Sequence, residues 1–240
     1  MLKLVLLPGM DGTGDLFKGF VAGLPASFEI EIVRYPAGDS LSFAELEALV
    51  RAALPASAPF LLVAESFSTP LAIRCAASSS TNLKGLVLCA GFASSPVRGW
   101  RRIVCSLLAP ILFRFKLSET LARAILVGEY APDALVAAVR ATVSSVEPKV
   151  LAGRLSDVLG CDVRAELGQV AVPLLYIRAK NDRLVGMASL DEIRRIRPET
   201  DVAVVDGPHL LFQREPRRSS EVVMEFCFRV WLAGVKPAGI

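Results

Sequence analysis

Three side chains that together could make a serine reactive follow three apolar segments of the chain. Ser66 ends an apolar segment that begins at Pro59, and the helical pattern after it predicts a serine on a tight strand-to-helix turn. His209, the only histidine, lies on a Gly-Pro loop after the last apolar segment, and Asp182 follows the segment before that one. A serine hydroxyl is a poor nucleophile until a base takes its proton, which histidine can do while a carboxylate holds the imidazole. These residue types predict acyl transfer through a serine.

Each of the three residues also has an ordinary structural explanation. Ser66 could cap a helix, His209 could be a surface or core residue, and Asp182 could form an Asx turn in a solvated loop. Their order along the chain (Ser, Asp, His) and their places after apolar segments favour catalysis. The residues two positions before and after the serine, Ala64 and Ser68, are small, as a strained turn requires.

A glycine-rich loop after the first apolar segment could supply hydrogen-bond donors for a negative oxygen. Residues 6–14 read Leu-Leu-Pro-Gly-Met-Asp-Gly-Thr-Gly, and the glycines allow a close backbone approach and positive φ. The backbone N–H groups of Met10 and Phe67 are the expected donors of an oxyanion hole. A nucleotide phosphate loop is the alternative, but the glycine spacing matches neither a dinucleotide loop nor a lysine-terminated loop. Asp11 is predicted to form a turn rather than to act as a catalytic acid.

Six short apolar segments alternate with helical patterns, which predicts an α/β fold with a mainly parallel sheet covered by helices. We expect strands near residues 4–7, 30–33, 60–63, 85–89, 174–177 and 202–205. Ser42 and Glu45 form a capping-box pattern at the start of a helix from residue 43. Further helices are expected over 187–197 and 221–232, with a frayed tail from Gly234 onward.

The alternation stops between residues 95 and 166, where helical patterns occur over 98–115, 118–126, 133–144 and 149–159. This predicts a helical cap, residues 95–166, inserted into a core formed by residues 1–94 and 167–240. Residues 103–113 form an apolar run with basic residues at both ends. This run could be a lid that covers an acyl chain or touches a membrane surface. The alternative is a helix buried against the serine turn, with its basic residues at the solvent rim.

The composition excludes several function classes. Hydrophobic residues make up 53% of the 240 residues, but no apolar run approaches the roughly 20 residues that span a bilayer. The apolar start runs into a Gly/Asp-rich loop, so we interpret it as a buried strand rather than a signal peptide. Five scattered cysteines predict buried free thiols and a cytoplasmic location, and no metal or cofactor is expected. A net charge of +3 is too small to indicate nucleic-acid binding.

The order of strands, loop, serine turn, insertion, acid and histidine resembles the α/β-hydrolase superfamily over essentially the whole chain. By this resemblance Ser66, Asp182 and His209 match the catalytic triad, and the segment 8–10 matches the His-Gly-x oxyanion motif with proline in place of histidine. The loop 8–14 also resembles, over this stretch alone, plastid esterase/acyltransferase proteins that handle phytol and diacylglycerol. Two departures stand out: the serine turn lacks both of the family's glycines, and the sheet begins at the family's third strand. The second departure implies a minimal sheet of about six strands.

The resemblance implies a serine hydrolase of the carboxylesterase kind, acting through an acyl-enzyme on Ser66. The apolar insertion predicts a small-molecule ester with a short-to-medium aliphatic acyl chain as substrate. Three alternatives stay open: an acyltransferase or a thioesterase with the same triad, and a non-catalytic ligand-binding scaffold. A dehalogenase would carry aspartate where this chain has Ser66.

Overall fold

The apolar segments form a six-stranded parallel sheet in a computed structural model that describes residues 3–78 and 81–234. The strands are β1 (Lys3–Leu7), β2 (Glu29–Ile32), β3 (Phe60–Glu65), β4 (Leu83–Cys89), β5 (Leu174–Ala179) and β6 (Asp201–Val205). Their order in the sheet is β2-β1-β3-β4-β5-β6, and every neighbouring pair is parallel. The predicted fold class and the predicted size of the sheet are confirmed.

Eleven α-helices lie in the described part of the chain. They are α1 (Lys18–Ala22), α2 (Phe43–Ala53), α3 (Thr69–Ala77), α4 (Trp100–Leu112), α5 (Glu119–Ala122), α6 (Asp133–Ser144), α7 (Pro148–Gly160), α8 (Arg164–Gln169), α9 (Met187–Ile196), α10 (Leu211–Arg214) and α11 (Pro216–Gly234). The capping box of α2 is present, because the Ser42 side chain accepts from Glu45 N while the Glu45 carboxylate accepts from Ser42 N. Helix α11 begins at Pro216, earlier than predicted, where the missing N–H of proline costs little. The tail after Gly234 lies outside the described residues.

Alternate side chains of the central strands pack into two separate cores, one on each face of the sheet. Leu7, Leu62 and Leu88 belong to the core on one face, and Leu6 and Val63 belong to the core on the other. This is the pattern expected of strands that helices cover on both sides. The edge strands β2 and β6 differ, because every residue of β2 and all residues of β6 except Val205 are at least partly exposed to solvent.

The segment between β4 and β5 is helical, as predicted, but its local structure is less regular than the periodicity suggested. The expected helix 118–126 divides into α5 and a π-helical turn over Arg123–Val127. A single antiparallel bridge joins Ser94 to Asp162 at the two ends of the segment. The predicted boundary after residue 166 falls inside α8.

Helix α4 does not bury its apolar side chains, so the interpretation of residues 103–113 as a buried helix is wrong. Ile103, Leu107 and Ile111 are each more than half exposed. Within residues 3–78 and 81–234, no helix combines the length and the apolar character that crossing a membrane requires.

Candidate active site

Ser66 lies at the junction of β3 and α3 in a strained backbone conformation. Strand β3 ends at Glu65, a 3-10 turn covers Ser66–Ser68, and α3 starts at Thr69. The φ angle of Ser66 is 49°, in the left-handed region that few residues other than glycine adopt. Such strain persists only where the surrounding structure enforces it, and here it holds the serine at the carboxyl edge of the sheet.

The two small residues beside the turn are buried, and one of them also forms hydrogen bonds. Ala64 and Ser68 are completely buried. The Ser68 hydroxyl donates to the carbonyl oxygen of Pro8, so the Tyr35 hydroxyl, 2.7 Å from Ser68 Oγ, must act as the donor to it. A serine in place of the family's second glycine therefore links the serine turn to the glycine-rich loop.

The structure brings the three predicted side chains together. Ser66 Oγ lies 2.8 Å from His209 Nε2, although 143 positions separate the two residues along the chain. His209 Nδ1 lies 2.8 Å from Asp182 Oδ2. Because an ionised carboxylate can only accept, Nδ1 carries the proton and Nε2 is free to take one from the serine.

The carboxylate of Asp182 is fixed by the loop that carries it. Its Oδ1 accepts from the backbone N–H groups of Leu184, at 2.8 Å, and Val185, at 2.9 Å. The side chains of Asp182 and His209 are only 4% and 5% exposed. This dry setting strengthens the hydrogen bonds among the three groups.

Backbone hydrogen bonds tie the acid loop and the histidine loop to each other and to the helical segment. Asn181 N donates to Gly207 O at 3.0 Å, and the Asn181 side chain donates to Asp206 at 2.7 Å. Leu210 N, next to the histidine, donates to Leu126 O at 2.9 Å. Leu126 lies in the π-helical turn, and such turns free carbonyls from the ordinary helical pattern. The turn thus helps to place His209.

The glycine-rich loop after β1 is a tight turn beside the serine. Gly12 N donates to Gly9 O at 3.0 Å, and Gly12 and Gly14 have φ angles of 73° and 74°. Asp11 Oδ1 accepts from the backbone N–H and the hydroxyl of Thr13, which confirms its predicted role as a turn former.

The two predicted oxyanion donors, the N–H groups of Met10 and Phe67, lie in backbone segments where an N–H can be left without an acceptor in the chain. Phe67 is the second residue of the 3-10 turn, and the first N–H groups of a helical turn have no acceptor within it. Met10 lies in the glycine-rich loop, three residues after the last residue of β1. That both N–H groups face the oxyanion stays a prediction.

Arg154 of α7 is a residue of the site that the sequence analysis missed. It is 3% exposed, and it donates to the carbonyls of Met10 at 2.9 Å, Asp11 at 2.7 Å and Pro36 at 2.9 Å. Its guanidinium lies 5.6 Å from the centre of the Tyr35 ring. Burial lowers the pKa of the guanidinium. Arg154 lies four residues after Val150 and three after Leu151, which places it on the buried face of α7. This spacing is the sequence pattern that could have identified it.

A second polar group lies buried under the serine turn. Gln213 Nε2 donates to Glu65 Oε2 at 3.1 Å. Among the described residues, neither Glu65 Oε1 nor Gln213 Oε1 has a protein hydrogen-bond partner. Burial raises the pKa of the Glu65 carboxyl to about 8, and the nearby charge of Asp11 acts in the same direction. Glu65 is therefore largely protonated at neutral pH.

A groove of about 990 Å³ lies between the helical segment and the loops that carry Asp182 and His209. Asn181 and Pro208 line it on one side, and Arg123 and Tyr130 of the helical segment line it on the other. Its lining includes neither Ser66 nor His209, so it is not the space in which the serine would act. Within the described part of the chain, His, Cys, Asp and Glu side chains form no group of three or more suited to a metal ion.

No protein-family model and no curated protein matches this chain in sequence, whereas solved structures match it over nearly its full length. A carboxylesterase of the thaumarchaeon Nitrososphaera gargenis superposes with a TM-score of 0.81 at 13% identity, covering 97% of this chain and 92% of that one. The chain has the α/β-hydrolase fold. An esterase from Thermogutta terrifontis superposes on this α/β-hydrolase fold with a TM-score of 0.75 at 16% identity, covering 96% and 90%.

Proteins with other activities share the fold equally well. A bromoperoxidase from Bacillus anthracis has a TM-score of 0.79 at 12% identity, covering 94% of this chain and 91% of that one. Because one fold hosts many chemistries, the reaction has to be argued from the residues of this chain's own site.

Proposed function

We propose that this protein is a serine hydrolase that cleaves carboxylic esters through an acyl-enzyme on Ser66. The proposal depends on one observation, the hydrogen-bonded chain from Asp182 through His209 to a serine held at positive φ. A serine needs a base within reach and a base held in the correct tautomer, and this arrangement supplies both.

In the proposed mechanism, Ser66 Oγ attacks the ester carbonyl carbon while His209 Nε2 takes the serine proton. The N–H groups of Met10 and Phe67 hold the negative oxygen of the tetrahedral intermediate, an effect of roughly 3–4 kcal/mol for one donor. His209 then gives its proton to the leaving alkoxide, and the alcohol departs. Water that His209 deprotonates attacks the acyl-enzyme, the bond between the acyl carbon and Ser66 Oγ breaks, His209 returns the proton to Ser66 Oγ, and the carboxylic acid leaves. Because a protonated imidazole cannot act as a base, hydrolysis should fall at acid pH, and a rate unchanged down to about pH 4 would contradict this.

We further propose that residues 95–166 act as a cap and that the acyl group is a short-to-medium aliphatic chain. Support comes from apolar packing beside the glycine-rich loop. The buried cluster Val146, Val150 and Leu151 of the cap is in contact with Met10 and with Phe113. An apolar acyl group near the proposed oxyanion hole would meet the aliphatic side chains of this cluster.

A series of p-nitrophenyl esters from acetate to laurate tests the reaction and the chain length together. We expect the highest kcat/KM at short-to-medium length in the wild type and a loss of several orders of magnitude in Ser66→Ala. Ser95→Ala is the matched control, because that hydroxyl only donates to Val97 O. A preference for charged or sugar-bearing esters would contradict the proposed acyl pocket. A competing alcohol that captures the acyl group as a new ester would identify an acyltransferase instead.

The cytoplasm is the proposed location. Cys75, Cys89 and Cys227 are buried free thiols, and Cys105 and Cys161 are partly buried and free. Unpaired cysteines in this number fit a reducing compartment.

A further inference from the structure

Helix α4 presents an apolar face to solvent. Its members recur at the three- and four-residue spacing of one helix face, and they are between 38% and 73% exposed. This apolar face of α4 comprises Trp100, Ile103, Val104, Leu107, Leu108, Ile111, Leu112 and, just after the helix, Phe115. A helix on a globular protein normally turns such a face inward, so an exposed patch of this kind indicates a partner outside the chain.

The opposite face of α4 is the one that packs on the protein. Helix α4 lies against α7, and Phe113, just after α4, packs against the buried cluster of Val146, Val150 and Leu151. Helix α7 could cover the apolar face of α4 only if α4 rotated about its own axis. The exposed apolar side chains of this face form a ridge along α4.

The charges around this ridge have one sign. Arg101, Arg102, Arg114 and Lys116 are exposed, and the sequence has no Asp or Glu between Arg98 and Glu119. Within residues 3–78 and 81–234, none of these four cations forms an ion pair, while Arg98 is paired with Glu192. Basic residues near an anionic lipid surface are attracted to it, so these four side chains favour docking on such a surface.

We infer that the apolar face of α4 docks on an anionic lipid surface, with the helix lying in the plane of the interface. An apolar ridge with basic flanks is typical of helices that lie in a membrane interface. Its 13 residues, at 1.5 Å each, are about 20 Å long, too short to span the roughly 30 Å hydrocarbon core. Trp100, 70% exposed at the start of α4, suits the headgroup level.

A second copy of the chain fits this surface less well. A two-fold dimer would place the same patch of both copies in contact, so basic residues would face basic residues across the interface. A lipid surface of opposite charge removes that repulsion.

Docking would bring the candidate active site close to the lipid. The cluster that Phe113 packs on also contacts Met10 of the glycine-rich loop, so this cluster connects α4 to that loop. An ester dissolved in the bilayer would then enter from the docked side. The docking itself does not depend on the proposed hydrolysis.

Vesicle co-sedimentation of the full chain tests the inference. Phosphatidylcholine vesicles are compared with vesicles that also contain phosphatidylglycerol, at low salt and in 0.5 M NaCl. We expect at least tenfold tighter binding to the anionic vesicles and loss of that difference in high salt. Equal binding to both vesicle types, or binding to neither, would overturn the inference.

Two variants of α4 and two controls separate the contributions. Leu107→Gln with Ile111→Gln should reduce binding at least tenfold, and Arg101→Gln with Arg102→Gln should reduce binding to the anionic vesicles alone. Phe228→Gln removes an apolar side chain of α11 that is also more than half exposed, and it should leave binding unchanged. Ser66→Ala should bind like the wild type, which keeps this test separate from that of the hydrolase. A dimer in solution that dissociates on the Leu107 and Ile111 substitutions, without vesicle binding, would overturn the inference.

Discussion

The guanidinium of Arg154 lies 2.9 Å from the carbonyl oxygen of Met10, so helix α7 holds the loop that would supply one oxyanion donor. The same side chain bonds the carbonyl of Asp11, which adjoins Met10 in the loop. Because Arg154 holds the carbonyls of both Met10 and Asp11, the backbone of these two residues cannot rotate freely. In the proposed mechanism Arg154 is a positioning residue that acts through the backbone of Met10.

Arg154→Met should lower both stability and reactivity. The substitution leaves three backbone carbonyls without their charged donor, and each orphaned buried group costs about 1–3 kcal/mol. We expect kcat to fall by at least tenfold with KM changed less, because the oxyanion donor acts on the transition state. The measurement is ester kinetics below the unfolding transition of the variant.

Arg140→Met is the matched control for this experiment. Like Arg154, Arg140 donates to a backbone carbonyl, but its acceptor is the carbonyl of Leu117, which is not part of the glycine-rich loop. It should lose stability without the change in kcat. Equal loss of kcat in both variants would mean that Arg154 only supports the fold.

Gly12→Ala tests how closely the glycine-rich loop packs against Arg154, because residue 12 lies in that loop. The φ of Gly12 is +73°, and a Cβ there would lie 2.6 Å from Arg154 Nη1 and 2.9 Å from Tyr35 Cβ. The left-handed conformation alone costs about 1–2 kcal/mol for a residue with a Cβ, and the overlap adds to it. Urea unfolding should show a loss of about 2 kcal/mol or more. Gly160→Ala, where no atom lies within 4 Å, should change stability by about 1 kcal/mol or less.

Glu65→Gln should change how stability depends on pH. The folded protein keeps the Glu65 proton up to about pH 8, whereas an unfolded glutamate loses it near its ordinary pKa of 4.5. The folded state therefore binds the extra proton between these values, and wild-type stability decreases as pH rises through that range. The variant cannot titrate there, so its stability relative to wild type should increase from pH 5 to pH 9, by up to a few kcal/mol.

Urea unfolding at pH 5, 7 and 9 measures this difference. Glu45→Gln is the control, because hydrogen bonds from Ser42 lower the pKa of the exposed Glu45 carboxyl. The stability that the ionised Glu45 adds to the folded state is present above its ordinary pKa. It is lost only at more acid pH, outside the range tested. If the wild type and Glu65→Gln kept a constant difference across the series, a protonated Glu65 would be excluded.

Asp182→Asn should abolish most of the activity while keeping the fold. An amide has a single oxygen, which cannot serve both the imidazole and the N–H groups of Leu184 and Val185. The proposed mechanism predicts a fall of kcat by roughly 10³–10⁴-fold, the effect of the wrong histidine tautomer. Asp206→Asn keeps an oxygen for Asn181 and should retain activity within about threefold. Near-normal hydrolysis by Asp182→Asn would remove Asp182 from the proposed triad.

The central sheet was predictable because its strands are buried on both faces and so have few polar residues. Strands β1 and β3 are examples, since almost every residue of Lys3–Leu7 and Phe60–Glu65 is buried. The edge strands were placed correctly, but their partial exposure depends on having one neighbour rather than two. The π-helical turn was not predictable, because it is coupled to a hydrogen bond from Leu210, which is distant in sequence.

The positions of Ser66, Asp182 and His209 were predictable because each follows a strand whose carboxyl end reaches the same edge of a parallel sheet. The polar groups that support the site were not. Arg154 and Glu65 lie among apolar residues, and their hydrogen-bond partners are backbone carbonyls or a distant glutamine that no local pattern identifies. The exposed face of α4 was likewise beyond the sequence, since the same spacing is expected of a buried helix.

Fluorophosphonate labelling of the serine tests the central claim most directly. The wild-type protein, incubated with a fluorophosphonate probe and analysed by peptide mass spectrometry, should carry one label on Ser66. Labelling should disappear in Ser66→Ala and fall by several orders of magnitude in rate in His209→Ala. A wild-type protein that stays unlabelled, or a label that persists in Ser66→Ala, would contradict an activated nucleophile at this position.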